Sequence, residues 1–208
     1  IYFYKTGPAA TAPTSAAPAP PARDAGNVIS IFSNAYTNIA GVDYNPNWGQ
    51  ATVTTVIDVA GNATLKYAGL NYQGTDFSGN AQDVSGMEYL HIDYWTANST
   101  ALNVSIISSG PVEKAKALTV PTNGTWKSID IPLADFSPPV NLADIIQLKF
   151  DGNGDIYLDN IYFYKTGPAA TAPTSAAPAP PARDAGNVIS IFSNAYTNIA
   201  GVDYNPNW

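Results

Sequence analysis

From residue 24 to residue 165 apolar and polar side chains alternate in short runs, the two-residue period of half-buried strands rather than the 3.6-residue period of helices. The runs predict strands at 28–32, 52–59, 64–68, 89–95, 101–108, 114–120, 126–132, 145–150 and 156–164. Turn chemistry separates them: Ala60-Gly61-Asn62, Gly79-Asn80, Ser109-Gly110-Pro111, Thr122-Asn123-Gly124 and the stretch from Asp151 to Asp155. Only Leu133 to Phe136 suggests a helical turn. So many short strands without helices predict an all-β, two-sheet antiparallel sandwich.

Parity along the runs assigns faces. Leu90, Ile92 and Tyr94 point to one side of their strand, and Tyr89, His91, Asp93 and Trp95 to the other. Leu102, Val104 and Ile106, and Ile146, Leu148 and Phe150, are read as further core sets. The last strand breaks parity, because Ile156 and Leu158 are two apart whereas Leu158 and Ile161 are three apart. A bulge at Asp159-Asn160 would restore burial of Ile161 and Phe163.

Residues 1–48 recur letter for letter as residues 161–208, so the sequence has a period of 160 residues. That is too long for a solenoid unit and suits a whole domain. The expected organisation is the last strand of a preceding repeat (1–6), a Pro/Ala-rich linker (7–23), a complete β-sandwich module (24–166), a second linker (167–183) and the start of a further repeat (184–208). The stretch from Gly7 to Ala22 has five prolines and no large apolar side chain, so it favours extended polyproline II, about 50 Å if fully stretched. It is expected to lie against protein in a packed assembly, and strand 1–6 either to sit in the sheet of another copy or to mark only where a longer polymer is cut.

Net charge is −7, and Cys is absent. The acidic balance excludes nucleic acid and anionic membrane as partners, since nothing could neutralise their phosphates. Thiol chemistry and cysteine zinc sites are excluded too. The catalytic inventory is thin: one His (His91) and two Glu (Glu88, Glu113). A glycosidase needs two carboxylates across a cleft, for which Asp93 with Glu88 or Asp130 is the available pairing. A small sandwich with short loops rarely builds such a site, and the chain is read as non-enzymatic.

Three segments carry a family resemblance: "DVSGMEYLHIDYWTANST", "TWKSIDIPLADF" and "GDIYLDNIYFYK". They resemble the non-catalytic carbohydrate-binding modules of the galactose-binding-like jelly-roll class, found as C-terminal appendages of secreted bacterial polysaccharidases. The resemblance covers nearly all of residues 24–165. It implies a jelly roll, structural packing for Trp126, and a structural calcium (Ca2+) ligated by the last-strand Asp, here Asp159, with residues near the first strand. There the sequence offers Ser33 and Asn34, and the metal pair is therefore Asn34 and Asp159. Asp151 to Asp155 reads either as a polar hairpin turn or as part of an oxygen-rich calcium loop, though it departs from the EF-hand pattern at Ile156 and Tyr162.

A sugar ring stacks its C–H face on an aromatic side chain while Asp, Asn, Gln or Lys bonds its hydroxyls. His91, Asp93 and Trp95, with Gln147, Lys149 and Asn103 on polar faces of other strands, form one candidate surface. Trp48 in "NPNWG" and Tyr72 in "LNYQG" form a second pair in loop-like contexts. Against both stands the alternative that Trp95 and Trp48 cap the sandwich or pack on the linker.

Two functions follow. One is a non-catalytic tandem-repeat module of an extracellular fibre, filament or surface adhesin, self-assembling with identical repeats through linker or strand contacts, since identical beads gain length and avidity. The other is a glycan-binding module on a secreted polysaccharide-degrading enzyme. Both place the chain outside the cell or at its surface, with polysaccharide as a further partner.

Overall fold

The computed structural model describes residues 10–121, 124–167 and 177–204. The expected strand 1–6 lies outside the described residues. Two compact units divide the chain at Gly167/Pro168.

The first unit is an all-β jelly roll of two antiparallel sheets. Ten strands are β1 (Val28–Phe32), β2 (Val53–Val59), β3 (Asn62–Ala68), β4 (Tyr72–Asp76), β5 (Tyr89–Thr96), β6 (Leu102–Ser108), β7 (Val112–Ala117), β8 (Lys127–Pro132), β9 (Ile145–Gly152) and β10 (Ile156–Tyr164). The larger sheet runs β2-β3-β10-β5-β8, with β1 also paired to β10, and the smaller runs β4-β9-β6-β7. A single 3-10 turn, Leu133–Asp135, stands where the helical turn was expected.

β10 is the organising strand, and all nine of its residues are buried. Its register against β5 shifts between Asp159 and Tyr162, where Asn160 takes a left-handed φ of 49°. That is the bulge the parity break predicted, and it divides one edge of β10 between two partners. Ile156, Tyr157 and Leu158 pair with β3, while Ile161 to Tyr164 pair with β1. Ile156, Leu158, Ile161 and Phe163 accordingly all reach the core, facing Leu90, Ile92 and Tyr94 of β5 and Val104, Ile106, Leu148 and Phe150 of the smaller sheet.

Two expectations need correction. On β9 it is Ile145, not Ile146, that enters the core, because the β6–β9 register shifts between Ile107 and Ser108. The Asp151 to Asp155 stretch is not a hairpin. It carries the chain from β9 in one sheet to β10 in the other, pinned by Thr100 N donating to Asn153 Oδ1 (2.8 Å) and Gly69 N donating to Asp155 Oδ1 (2.9 Å).

The second unit repeats the beginning of the first in sequence and in local detail. Ser190 Oγ donates to Asn198 Oδ1 (2.6 Å) as Ser30 does to Asn38 (2.7 Å), and the Phe192 and Tyr204 rings meet at 5.4 Å as Phe32 and Tyr44 do. The strand itself is missing: residues 188–192 carry one isolated bridge, and Ile189 and Phe192 are 83% and 80% exposed.

Candidate functional site

The sandwich has two outer faces, and the candidate residues divide between them. On the larger sheet, cross-strand pairing sets Trp95 beside Tyr157, Asp93 beside Asp159 and His91 beside Tyr162, with Ser128 and Asp130 following on β8. This face is covered. Residues 10–23, the described part of the Pro/Ala-rich segment, lie across it as a strap along β10. Trp126 Nε1 donates to Ser15 O (2.8 Å), Asn160 Nδ2 to Pro18 O (3.0 Å) and Tyr36 OH to Pro21 O (2.6 Å). Arg23 then stacks its guanidinium 3.7 Å from the Tyr164 ring centroid.

Of the outward residues of β5, Asp93 and Trp95 are closed off, while Tyr89 and His91 stay partly exposed. Trp95, 2% exposed, packs edge-on against Tyr157 at 5.2 Å, and a Cβ at Gly124 would come within 2.9 Å of its ring. Its ring is therefore not the open stacking platform that strand parity alone suggested. Asp93 is 1% exposed, which also removes the carboxylate pairing considered for a glycosidase from any cleft.

Two carboxylates directly opposite each other, Asp93 and Asp159, would repel. The network around them answers this. Asp93 accepts from Ser128 Oγ and from Asn160 Nδ2 (2.7 Å), and His91 lies 3.4 Å away while its other ring nitrogen meets Asp130 Oδ1 at 2.7 Å. Burial opposes charge on His91, but the hydrogen bonds and charges of Asp93 and Asp130 prevail and raise its pKa. Asp159, fully buried, is pushed up to about 6, mainly by desolvation, with Asp93 adding to it and the bonds from Asn160 N and Asn62 Nδ2 opposing it.

The calcium pair meets through an intermediary. Asn34 Nδ2 donates to Asn62 Oδ1 (2.5 Å), and Asn62 Nδ2 donates to Asp159 Oδ2, while Asp159 Oδ1 accepts from Asn160 N (2.7 Å). Both carboxylate oxygens thus already face N–H donors. Among the described residues no three His, Cys, Asp or Glu side chains converge on one point. This donor set does not fit a hard cation, which wants several bare oxygens.

The smaller sheet presents the other face, whose outward residues are half-buried or exposed apart from Gly74, Ser105 and Ile107. In adjacent registers β4, β9, β6 and β7 align Tyr72-Asp151-Asn103-Ala117, then Gly74-Lys149-Ser105-Ala115, then Asp76-Gln147-Ile107-Glu113. Trp48 arrives from the long β1–β2 connection and lays its six-membered ring over Gly74. A Cβ there would come within 2.3 Å of ring carbons, so the close approach requires glycine. The loop is tied down: Tyr72 OH donates to Trp48 O (2.8 Å), and Gln50 accepts from Trp48 N (2.8 Å) while donating to Pro46 O (2.7 Å).

Around this half-buried ring, polar side chains stand in cross-strand pairs. Lys149 Nζ meets Glu113 Oε2 at 2.5 Å, reaching over β6. Asn103 Nδ2 donates to Asp151 Oδ1 (3.2 Å), and Gln147 Nε2 to Asp76 Oδ2 (3.3 Å). Burial resists charge on Asp76, but bonds from Ser78 and Gln147 hold its carboxyl below the ordinary value, so it stays an acceptor. Of the expected residues, Trp48, Tyr72, Gln147 and Lys149 come together here, and His91, Asp93 and Trp95 lie on the opposite side of the sandwich. Sequence reading missed Gly74 and missed that Tyr72 opens a strand. The polar-apolar alternation Tyr-Gln-Gly-Thr-Asp held no hydrophobic signal, because Gln73 and Thr75 face inward.

No family model matches the chain, and no curated protein matches it. Solved structures do. A family 30 carbohydrate-binding module of a cellulosomal cellulase of Clostridium thermocellum is 15% identical with a TM-score of 0.50, covering 66% of this chain and 97% of that one. A family 11 module of another cellulosomal cellulase of the same organism is 21% identical with a TM-score of 0.46, covering 67% and 95%. An exo-β-agarase is matched over 67% of this chain and 25% of its own, at 11% identity and a TM-score of 0.48. The first of these likenesses establishes the fold: the chain has the jelly-roll architecture of carbohydrate-binding modules.

Proposed function

We propose that the protein is a non-catalytic polysaccharide-binding module of a tandem array, working outside the cell or at its surface and binding glycan on the outer face of the smaller sheet. The observation that carries this reading is Trp48 seated over Gly74 and ringed by Tyr72, Lys149, Gln147, Asp151 and Asn103. A rigid aromatic plane offers the apolar side of a pyranose a stacking surface. The fixed amide, carboxylate and ammonium groups around it match hydroxyls that both donate and accept. Because Lys149 is balanced by Glu113, and Asp151 and Asp76 are bonded to amides, the face suits a neutral glycan better than a charged one.

Affinity electrophoresis through gels containing neutral polysaccharides tests it. The wild type is expected to be retarded by at least one, and Trp48→Ala to lose about tenfold or more in affinity, the equivalent of roughly 1.4 kcal/mol. Retardation unchanged in Trp48→Ala would overturn the site.

The path of the chain favours a second, compatible reading, an extended fibre or adhesin of identical modules. The strap begins by Trp95 and Gly124 at one end of β5, where Ala10 O lies 3.5 Å from the Cβ position of Gly124. The chain leaves β10 beside Tyr89 at the opposite end. Entry and exit at opposite ends of the first unit suit a tandem array, and identical glycan faces along one would add avidity.

A further inference from the structure

We propose that the outer face of the larger sheet is a binding groove for a proline- and alanine-rich extended peptide, and that residues 10–23 are its ligand rather than a spacer. The carbonyls that accept side-chain bonds belong to Ser15, Pro18 and Pro21, every third residue. Three is the period of the polyproline II helix, whose carbonyls have no internal partner and whose prolines have no N–H to offer. A receptor for such a ligand must therefore supply donors on one line, and this face does so from three separate places. Trp126 precedes β8, Asn160 is in β10 and Tyr36 follows β1.

Each donor is held for the task. Asn160 is the bulge residue of β10, and its left-handed backbone turns the side chain outward between Asp93 and the strap. Its Oδ1 accepts from Ser33 Oγ (2.7 Å) and its Nδ2 donates to the acceptor-only Asp93 carboxylate (2.7 Å), which fixes which amide atom faces Pro18. The Tyr36 ring is braced edge-on at 5.0 Å from Tyr162. Aromatic walls with N–H and O–H donors are the usual means of recognising polyproline II.

Selectivity has a visible basis too. Pro13 and Ala17 are the strap residues turned into the protein, whereas Thr14 and Ser15 face solvent. Ala17 is buried against the face, which favours a small side chain there, and the Arg23 stacked on Tyr164 sets the end of the register. The ligand class is thus a proline-rich segment with small residues on one side and a terminal cation. The sequence contains that segment twice, since residues 167–183 repeat 7–23.

Elastase, which cuts after small residues, reports how often the strap leaves the face. Cleavage within 10–22 of the folded chain is expected to be about tenfold or more slower than cleavage of the same bonds in a free peptide of residues 10–23, because cutting tracks the population of the open form. Equal rates would overturn the proposal. Trp126→Phe, which deletes one donor and keeps the ring, is expected to speed cutting in 10–22 alone; no change would count against the carbonyl reading. In the full chain carrying Ala17→Glu, which forces its own strap out, a fluorescent peptide of residues 11–23 is expected to bind in trans, and failure to bind while circular dichroism stays that of the wild type would contradict a peptide groove.

Discussion

Gly74 and Asp159 show how single residues set the properties of the two faces. At Gly74 the absent side chain is the function: Trp48 occupies the space that a Cβ would take. Gly74→Ala should therefore lift the ring and lower glycan affinity by about as much as Trp48→Ala, tenfold or so. Melting should confirm that the fold persists, and undiminished binding would separate the ring from the site. At Asp159, burial raises the pKa from the ordinary 3.8 to about 6, so the folded protein holds this proton more tightly than the unfolded chain. The linked stability is present below about pH 4 and is lost as pH rises through 6, up to about 3 kcal/mol for a shift of this size. His91, also raised, acts in the same direction as pH passes its own elevated value. Asp159→Asn cannot ionise, so the melting temperature of the variant relative to wild type should climb between pH 4 and 7. A constant difference would place the cost of this carboxylate elsewhere. Neither residue was legible as a cause from sequence: a glycine in a polar run and an aspartate near a bulge acquire meaning only from what lies above them.

At the scale of elements, the two copies of one sequence separate local from non-local causes. The turn that bonds Ser30 to Asn38 and Tyr44 to Ile31 re-forms at residues 190–204, where Tyr204 OH reaches Ile191 O. Its determinants are therefore within those residues. The strand does not re-form, because 28–32 owes its state to pairing with Ile161 to Tyr164 of β10. Amide exchange should show protection of 28–32 with fast exchange at the identical residues 188–192, and similar rates at both would contradict a pairing-dependent strand. The same distinction explains which strands were readable. β5, β6 and β10 alternate hydrophobic and polar residues because one sheet face is buried, and the parity break in β10 announced its bulge. β4 was invisible because its inward residues are Gln73 and Thr75, satisfied by partners such as Tyr67 OH rather than by apolar packing. In the β9 core set Leu148 and Phe150 stand where expected, and Ile145 replaces Ile146 because the register shift opposite Ser108 leaves no mark in the hydrophobic pattern.

For the whole molecule, the decisive event is the strap. Parity correctly sent His91, Asp93 and Trp95 outward, but outward on this sheet means under residues 10–23, and composition cannot say which face a proline-rich segment will cover. What remained exposed was the other sheet, where a loop tryptophan and a strand tyrosine joined Gln147 and Lys149 that sequence reading had grouped with the covered face. One face thus carries the chain's own linker, and the proposed glycan site lies on the opposite face. The indole N–H signals of the tryptophans report on both faces at once. In an NMR titration of the full chain with an oligosaccharide of whichever polysaccharide retards it, the Trp48 indole and the Gly74 and Lys149 amides should shift while the Trp95 and Trp126 indoles stay in place. Shifts at Trp95 and Trp126 with Trp48 unmoved would place the ligand on the strap face and contradict the account.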